Sequence, residues 1–336
     1  MSSRPIVALA WIPELAPDLF TPALLERLRA TCALVTEAPL RTFTDAGADE
    51  TLAKVEVLLT SWGCPPIDAA VLDRAPRLRA IVHAAGTVKG HVRPECWQRG
   101  IAVTSAAAAN ALPVAEFTLA TILLANKRAF RIQRRYAEKR QFRWWPKEFP
   151  GLGNYAKTVG IVGASFVGRR VTRLLRPFDL SVQVYDPFLT EADAAALGAR
   201  KVELDELLRT SDVVSLHSPA LPETRHQIDR RRLGLMRDGA VLINTGRGSL
   251  VDGDALADEL RAGRIDAVID TTDPEVLPAD SALYELPNVF LTPHIAGSMG
   301  TETQRMALLA IEEIERFAAG EPFRHAIRAD DLARVA

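Results

Sequence analysis

Cysteine is scarce. Only Cys32, Cys64 and Cys96 occur in 336 residues, too few and too scattered for a disulfide framework and without the spacing of a metal site. A reducing, cytoplasmic setting is therefore expected, with no metal. An excess of charge of one sign is also missing: Lys plus Arg total 41 against 42 Asp plus Glu. Such a chain has no global field to recruit nucleic acid or an anionic membrane, and neither is expected as a partner. Uninterrupted apolar runs of membrane length are absent too. The longest stretch, Ala106 to Asn126, contains Pro113 and Glu116, which a bilayer-spanning helix would have to bury at substantial cost. It reads as a buried helix of a soluble protein. The first apolar run stops at Pro13 and Glu14, too short for a signal-peptide core with a cleavage site, and reads as a strand. Solenoid repeats and low-complexity tracts are not found.

What is present is an alternation of short β-branched runs with longer helical patterns, the arrangement of parallel sheets covered by helices. A mass of 36.7 kDa exceeds one ordinary core and points to two domains with a cleft between them. Strands are expected at "PIVALA", "VEVLLT", "LRAIVH" and "IAVT" before residue 106. A helix is expected from Asn110, with Asn110 as its cap and Pro113 in the first turn, where a missing backbone donor does little harm. A basic arm follows, with nine Lys or Arg from Lys127 to Lys147, read as a solvated helix face or a subunit contact rather than a phosphate-binding surface. Trp144 and Trp145 in this arm read as packing or interface residues. After the turn-rich "GLGNYAK" come "TVGIVG", "SVQVYD", "DVVSL", "AVLINT", "DAVIDT" and "VFLTP". Six strands separated by turns or helices make a doubly wound sheet the economical inference.

The stretch "VGIVGASFVGRRV", Val159 to Val171, nearly spells a dinucleotide-binding loop. Gly163 ends a predicted strand and permits the tight turn, and Gly168 lets the following helix pack closely on that strand. Ser165 stands where a second glycine lets pyrophosphate approach, so the loop fits only if its backbone stays in a region open to L-residues. The next strand ends at Asp186, 23 residues beyond Gly163, close to the spacing at which an acid bonds the ribose hydroxyls. A carboxylate there repels a 2′-phosphate, so NAD(H) is favoured over NADP.

Three later segments, "LINTGRGSLVD", "DAVIDTTDPEVLP" and "LTPHIAGSMG", each place an ionisable residue just past a predicted strand, where open α/β sheets bind ligands. With "NALPVAEFTLATILL", "VGIVGASFVG", "VYDP" and "SLHSPALPETR", they make the chain resemble the D-isomer-specific 2-hydroxyacid dehydrogenase family in order from about residue 80 to 300. The resemblance implies two α/β domains, Rossmann-like and flavodoxin-like, each a doubly wound parallel sheet. A discontinuous substrate domain would comprise residues 1–106 and 300–336, and an NAD-binding domain residues 107–299, with hinge closure between them and a homodimer as the assembly. It implies Arg247 as the substrate-binding and catalytic arginine, Glu275 as the catalytic carboxylate and His294 as the acid/base. Asp270 would hold the nicotinamide carboxamide. Cofactor contacts would come from Gly163, Ser165, Phe166, Val167, Gly168, Asp186, Thr245, Gly246, Arg247 and the turn His294, Ala296, Gly297, with His217 lining the pocket. The loop Gly86, Thr87, Val88 would receive the substrate carboxylate on its amides. The chain departs from the family pattern at Ser165, Gly246, Thr271, Thr272 and Val276.

The implied chemistry suits these residue types. Reducing a 2-keto acid needs a hydride at C2 and a proton on the carbonyl oxygen. Histidine is the side chain best placed to exchange that proton near neutrality. A nearby carboxylate fixes its ring and favours its charged form, while arginine's planar fork grips a carboxylate and polarises a carbonyl. Taken singly, His294, Arg247 and Glu275 have ordinary structural readings, which lose weight once the three occur in family order. The expected activity is hydride transfer between NAD(H) and a small D-2-hydroxy acid or its 2-keto partner. The alternative is an NAD(H)-sensing binding protein like the corepressors that share the fold, although no peptide-docking module is evident. Formate dehydrogenases of this family pair their histidine with glutamine, so Glu275 argues against that branch. Lys89 could bind a second anionic group of a substrate.

Overall fold

Residues 4–35 and 38–332 are described by the structure, a computed structural model. The ends of the expected substrate domain, residues 1–3 and 333–336, lie outside the described residues. Internal contacts divide the chain into two compact units, one running to Ala111 and resuming at Ser298, the other spanning Leu112–Gly297. The expected joints were at 106/107 and 299/300.

The first unit holds a five-stranded parallel sheet of β1 (Ile6–Ala10), β2 (Ala33–Leu34), β3 (Val57–Thr60), β4 (Ala80–His83) and β5 (Ala102–Ser105), in the order β2-β1-β3-β4-β5. The central strands are buried along their length because helices cover both faces. Met306, Ala310, Ile311 and Ile314 of the Thr303–Ala319 helix pack on one face. Leu52, Val71 and Leu72 of the helices Ala48–Lys54 and Ala69–Arg74 pack on the other. Sequence reading missed β2, a two-residue strand with no β-branched run to mark it.

The second unit holds β6 (Lys157–Val162), β7 (Leu180–Tyr185), β8 (Arg200–Lys201), β9 (Val213–Leu216), β10 (Val241–Asn244), β11 (Asp266–Ile269) and β12 (Val289–Leu291). Their order is β12-β11-β10-β9-β6-β7-β8, and every pairing is parallel. The six expected strands are present; β8 is an addition too short and polar to read from the sequence. Chain order reverses between β6 and β9, and ligands of such sheets bind in the crevice beyond the strand ends at that switch. Both units are thus doubly wound α/β sheets.

The expected start of the long helix is corrected. It runs Ala107–Asn126 with Pro113 in its interior, because the alanine run ahead of Asn110 is itself the strongest helix former and draws the start forward. Asn110 is not the cap; its Oδ1 accepts a hydrogen bond from the Ser298 amide at 3.0 Å. By length and composition this helix could cross a membrane. In the second unit it instead places Ala115, Ile122 and Ala125 in one core with Val159 and Ile161 of β6 and Ile243 of β10.

Candidate active site

The glycine loop leaves β6 at Gly163, whose φ of +96° is the left-handed backbone that glycine adopts without cost. A Cβ there would come within 2.6 Å of the Ser218 amide, so the loop after β9 also requires glycine at this point. Gly168 meets a tighter limit, since its Cβ would fall on the Gly163 carbonyl oxygen. The helix Phe166–Leu174 can therefore sit on the end of β6 only with glycine at that place. Ser165, with φ −65° and ψ −178°, lies in ordinary extended backbone and caps this helix, its Oγ accepting from the Gly168 amide at 3.3 Å. The serine costs the loop no strain and keeps its hydroxyl hydrogen for a phosphate oxygen. Val171 and Leu175 anchor the helix in the core, Val167 is half-buried, and Phe166 is exposed.

Asp186 accepts from the Ala164 amide at 2.7 Å and from the Phe188 amide at 2.8 Å, one bond to each carboxylate oxygen. It ties the end of β7 to the glycine loop and retains lone pairs for a diol. His217 is buried beside that loop. Its Nε2 hydrogen-bonds Ser215 Oγ at 2.9 Å, and its Nδ1 has no partner among the described residues. A glycine cradle that any side chain would fill, a capped helix N-terminus, an acid at the next strand end and a buried imidazole nitrogen left unpaired suit a dinucleotide.

Burial pushes the His217 imidazole down to about 3. The folded value lies below the roughly 6.5 of a free imidazole, so the unfolded chain takes up the proton first. The contribution to stability is complete above about pH 6.5 and is lost as the pH falls towards the folded value. Burial pushes His91, in the other unit, down to about 4, with the same sign. His217→Asn is expected to lower Tm at pH 8 but to flatten its decline between about pH 6.5 and pH 4. An unchanged acid slope in thermal melts would remove His217 from this account.

Beyond β10, β11 and β12 the three ionisable residues are carried on braced loops. Asn244 at the end of β10 accepts from the Gly246 amide at 3.1 Å and donates to the Arg247 carbonyl at 2.9 Å, folding the Thr245–Arg247 turn back on the strand. The buried Thr245 hydroxyl pairs with Thr118 Oγ1 at 2.8 Å. Arg247 is half-buried, and its Nη1 donates to the Gly246 carbonyl at 2.7 Å. Burial draws its guanidinium below the ordinary value while the Glu275 carboxylate pulls the other way; arginine nevertheless stays charged near neutrality.

His294 has φ +55°, a left-handed conformation uncommon outside glycine and held here by surrounding bonds. Asp270 supplies those bonds. Its backbone carbonyl accepts from the His294 amide at 2.9 Å. Its carboxylate accepts from Thr292 Oγ1 at 2.6 Å, the Ile295 amide at 2.8 Å and the Ala296 amide at 3.0 Å. Asp270 is buried, and most of its hydrogen-bonding capacity goes into building the Thr292–Ala296 turn, a role the sequence does not reveal. The turn aims His294 Nδ1 at Glu275 Oε1, 2.6 Å away. A carboxylate only accepts, so Nδ1 carries the hydrogen and Nε2 is left as the exchangeable site. Both side chains are about half open to solvent.

The remaining expected residues fall elsewhere. Ala296 is buried and Gly297 half-buried in the same turn. Gly86, Thr87 and Val88 follow β4 in the first unit. Their amides make no internal hydrogen bond among the described residues, while the Val88 carbonyl accepts from the amides of His91 and Val92. Such a run of free amides suits a carboxylate. In the basic arm, Arg128 and Arg131 bind Asp266, and Arg135 pairs with Glu148. These internal pairings leave less free cation for phosphate than the sequence suggests. The Ala129–Lys139 helix buries no residue, and Trp144 and Phe142 are 72% and 86% exposed, so Trp144 packs little against the described residues. Sequence reading missed the bracing residues Asn244 and Thr292: Asn244 closes its own turn through Gly246 and Arg247 with no motif to mark it, and the partner of Thr292 lies 22 residues away.

A parallel sheet with a glycine loop at its switch point and an imidazole–carboxylate pair beyond neighbouring strand ends is the arrangement of doubly wound dinucleotide-binding folds. Residues 119–296 match the family described as "D-isomer specific 2-hydroxyacid dehydrogenase, NAD binding domain", and the chain belongs to that family. A glyoxylate reductase of Korarchaeum cryptofilum is 36% identical over 265 residues, covering 78% of this chain and 80% of that protein. A D-3-phosphoglycerate dehydrogenase of Archaeoglobus fulgidus is 32% identical over 262 residues, and there the match spans only 49% of the longer relative. Among solved structures, a D-lactate dehydrogenase from Aquifex aeolicus complexed with NAD and lactic acid superposes with a TM-score of 0.69 at 29% identity, covering 94% of this chain and 96% of that one.

Proposed function

We propose that this protein is an NAD-dependent oxidoreductase that interconverts a small D-2-hydroxy acid and its 2-keto acid. The observation that carries the reading is the 2.6 Å bond between His294 Nδ1 and Glu275 Oε1 on a turn built by Asp270. It leaves Nε2 free to give a proton to a carbonyl oxygen and recover it in reverse. Glu275 holds the ring and balances the imidazolium that forms in the oxidative direction. Arg247 orients the substrate through a paired contact to its carboxylate and draws electron density from the carbonyl. The free amides of Gly86, Thr87 and Val88 serve as a second carboxylate receiver. The nicotinamide, when bound, supplies or accepts the hydride. Phe166, Val167, Thr245, Gly246, Ala296 and Gly297 are assigned to the cofactor's surroundings, and Asp270 retains a lone pair for the carboxamide. The three cysteines are free, in keeping with a cytoplasmic enzyme, and the exposed aromatics of the basic arm suit a homodimer.

The test is a panel of 2-keto acids assayed with NADH and with NADPH. NADH oxidation with at least one small 2-keto acid is expected. Tight NADH binding without turnover across the panel would instead favour a sensor. Asp186 is read as the group that excludes a 2′-phosphate, because juxtaposed like charges are strongly unfavourable. Asp186→Ala should improve the kcat/KM ratio for NADPH over NADH by about ten-fold or more; an unchanged ratio would place discrimination elsewhere.

A further inference from the structure

Gly248 follows Arg247 directly, yet nothing in its backbone conformation calls for glycine, since its φ lies outside the left-handed region. Space demands it. A Cβ on Gly248 would fall on the carbonyl carbon and oxygen of Thr272 and on the amide nitrogen of Asp273. These are backbone atoms and cannot swing aside as a flexible side chain could. The arginine loop and the loop that carries Glu275 therefore touch backbone to backbone at this point.

The second loop has little else to hold it. Asp273, Pro274, Glu275 and Val276 are all exposed, so burial does not fix their positions. Besides the Glu275–His294 bond, two polar contacts among the described residues do. Thr272 Oγ1 donates to the Glu275 carbonyl at 2.8 Å and closes a four-residue turn. On the outer side Arg225 Nη1 meets Asp273 Oδ2 at 2.9 Å, an exposed pair of small energetic weight. The turn closed by Thr272 is the one that presents Glu275 to His294.

We propose that Gly248 and Thr272 are positioning residues for the reaction, a spacer and a latch that register Glu275 against both Arg247 and His294. This rests on the function proposed above. Gly248 sets how closely the two loops approach, and the Thr272 hydroxyl sets the direction in which the Glu275 side chain leaves its loop.

The experiment compares Thr272→Val, which keeps the shape and removes the hydroxyl, with Thr272→Ser, which keeps the hydroxyl. Thr272→Val should lower kcat by about ten-fold or more, as misplacement of a catalytic group does. KM for the keto acid and the dissociation constant for NADH should stay within about two-fold, the signature of a loss confined to the chemical step. Thr272→Ser should return kcat to near the wild-type value, and Gly248→Ala should lower kcat and also raise KM, because Arg247 is displaced with it. The same displacement is read without turnover from the imidazole nitrogen resonances of His294 in 15N-histidine-labelled protein, expected to shift in Thr272→Val and not in Thr272→Ser. A wild-type protein that reduces no keto acid would refute the reaction while leaving the resonances to decide the latch. Unshifted His294 resonances in Thr272→Val, unchanged kcat in that variant of an active enzyme, or equal losses in the Val and Ser variants would overturn the proposal.

Discussion

His294→Asn is expected to cut turnover by about 10²–10⁴-fold, the usual worth of a positioned acid/base, while NADH affinity changes by less than about two-fold. Asparagine is the informative replacement because residue 294 sits at φ +55°. Asparagine tolerates that left-handed backbone better than most residues, so the turn held by Asp270 should survive. The loss then falls on proton transfer alone. Steady-state kinetics with NADH titration separates the two readouts. Equal weakening of cofactor binding and turnover would mean the turn had collapsed, and retained turnover would remove His294 from the reaction.

Gly168→Ala should act in the opposite sense, on binding before chemistry. Its added methyl falls on the Gly163 carbonyl oxygen, so the Phe166–Leu174 helix must lift from the end of β6. Overpacking of this kind costs about 1–3 kcal/mol. The displacement also shifts the Ser165 cap and the first-turn amides that would face pyrophosphate. NADH affinity is expected to fall by about ten-fold to a hundred-fold, the same energy expressed in binding, together with a lower Tm. Ser165→Gly makes a control, since Ser165 occupies ordinary extended backbone and its removal costs a cap but no space. Titration of both variants with NADH checks the order: Gly168→Ala far weaker, Ser165→Gly close to wild type. The reverse order would show that the serine, not the glycine contact, governs the loop.

Strands were readable wherever several β-branched residues run together, because a sheet buried on both faces selects continuous apolar runs. β2 and β8, two residues each, leave too little pattern to detect. The helix start at Ala107 is hidden in the sequence because a good capping residue, Asn110, stands inside a stretch whose alanines carry the helix ahead of it. The glycine loop was readable from local spacing, since Gly163 takes a left-handed backbone and Gly168 answers the Gly163 carbonyl five residues back, whereas the demand of Ser218 on Gly163 leaves no local sign. His294 and Glu275 are 19 positions apart on different loops, and only resemblance to a known family paired them. Asp270 shows the limit of that route: resemblance points to the cofactor, but its carboxylate spends three hydrogen bonds on the His294 turn. The spacer at Gly248 was invisible for a related reason, as its partners at Thr272 and Asp273 meet it only in three dimensions.

Transfer of label from NADH deuterated at C4 of the nicotinamide tests the central claim most directly. The protein is incubated with the labelled cofactor and small 2-keto acids, and the hydroxy acid formed is read by mass spectrometry. One deuterium at C2 of a D-2-hydroxy acid is expected with the wild-type chain, falling by about 10²-fold or more in rate with His294→Asn. Cofactor binding with no labelled product from any keto acid, or the same rate of labelling in the variant, would contradict it.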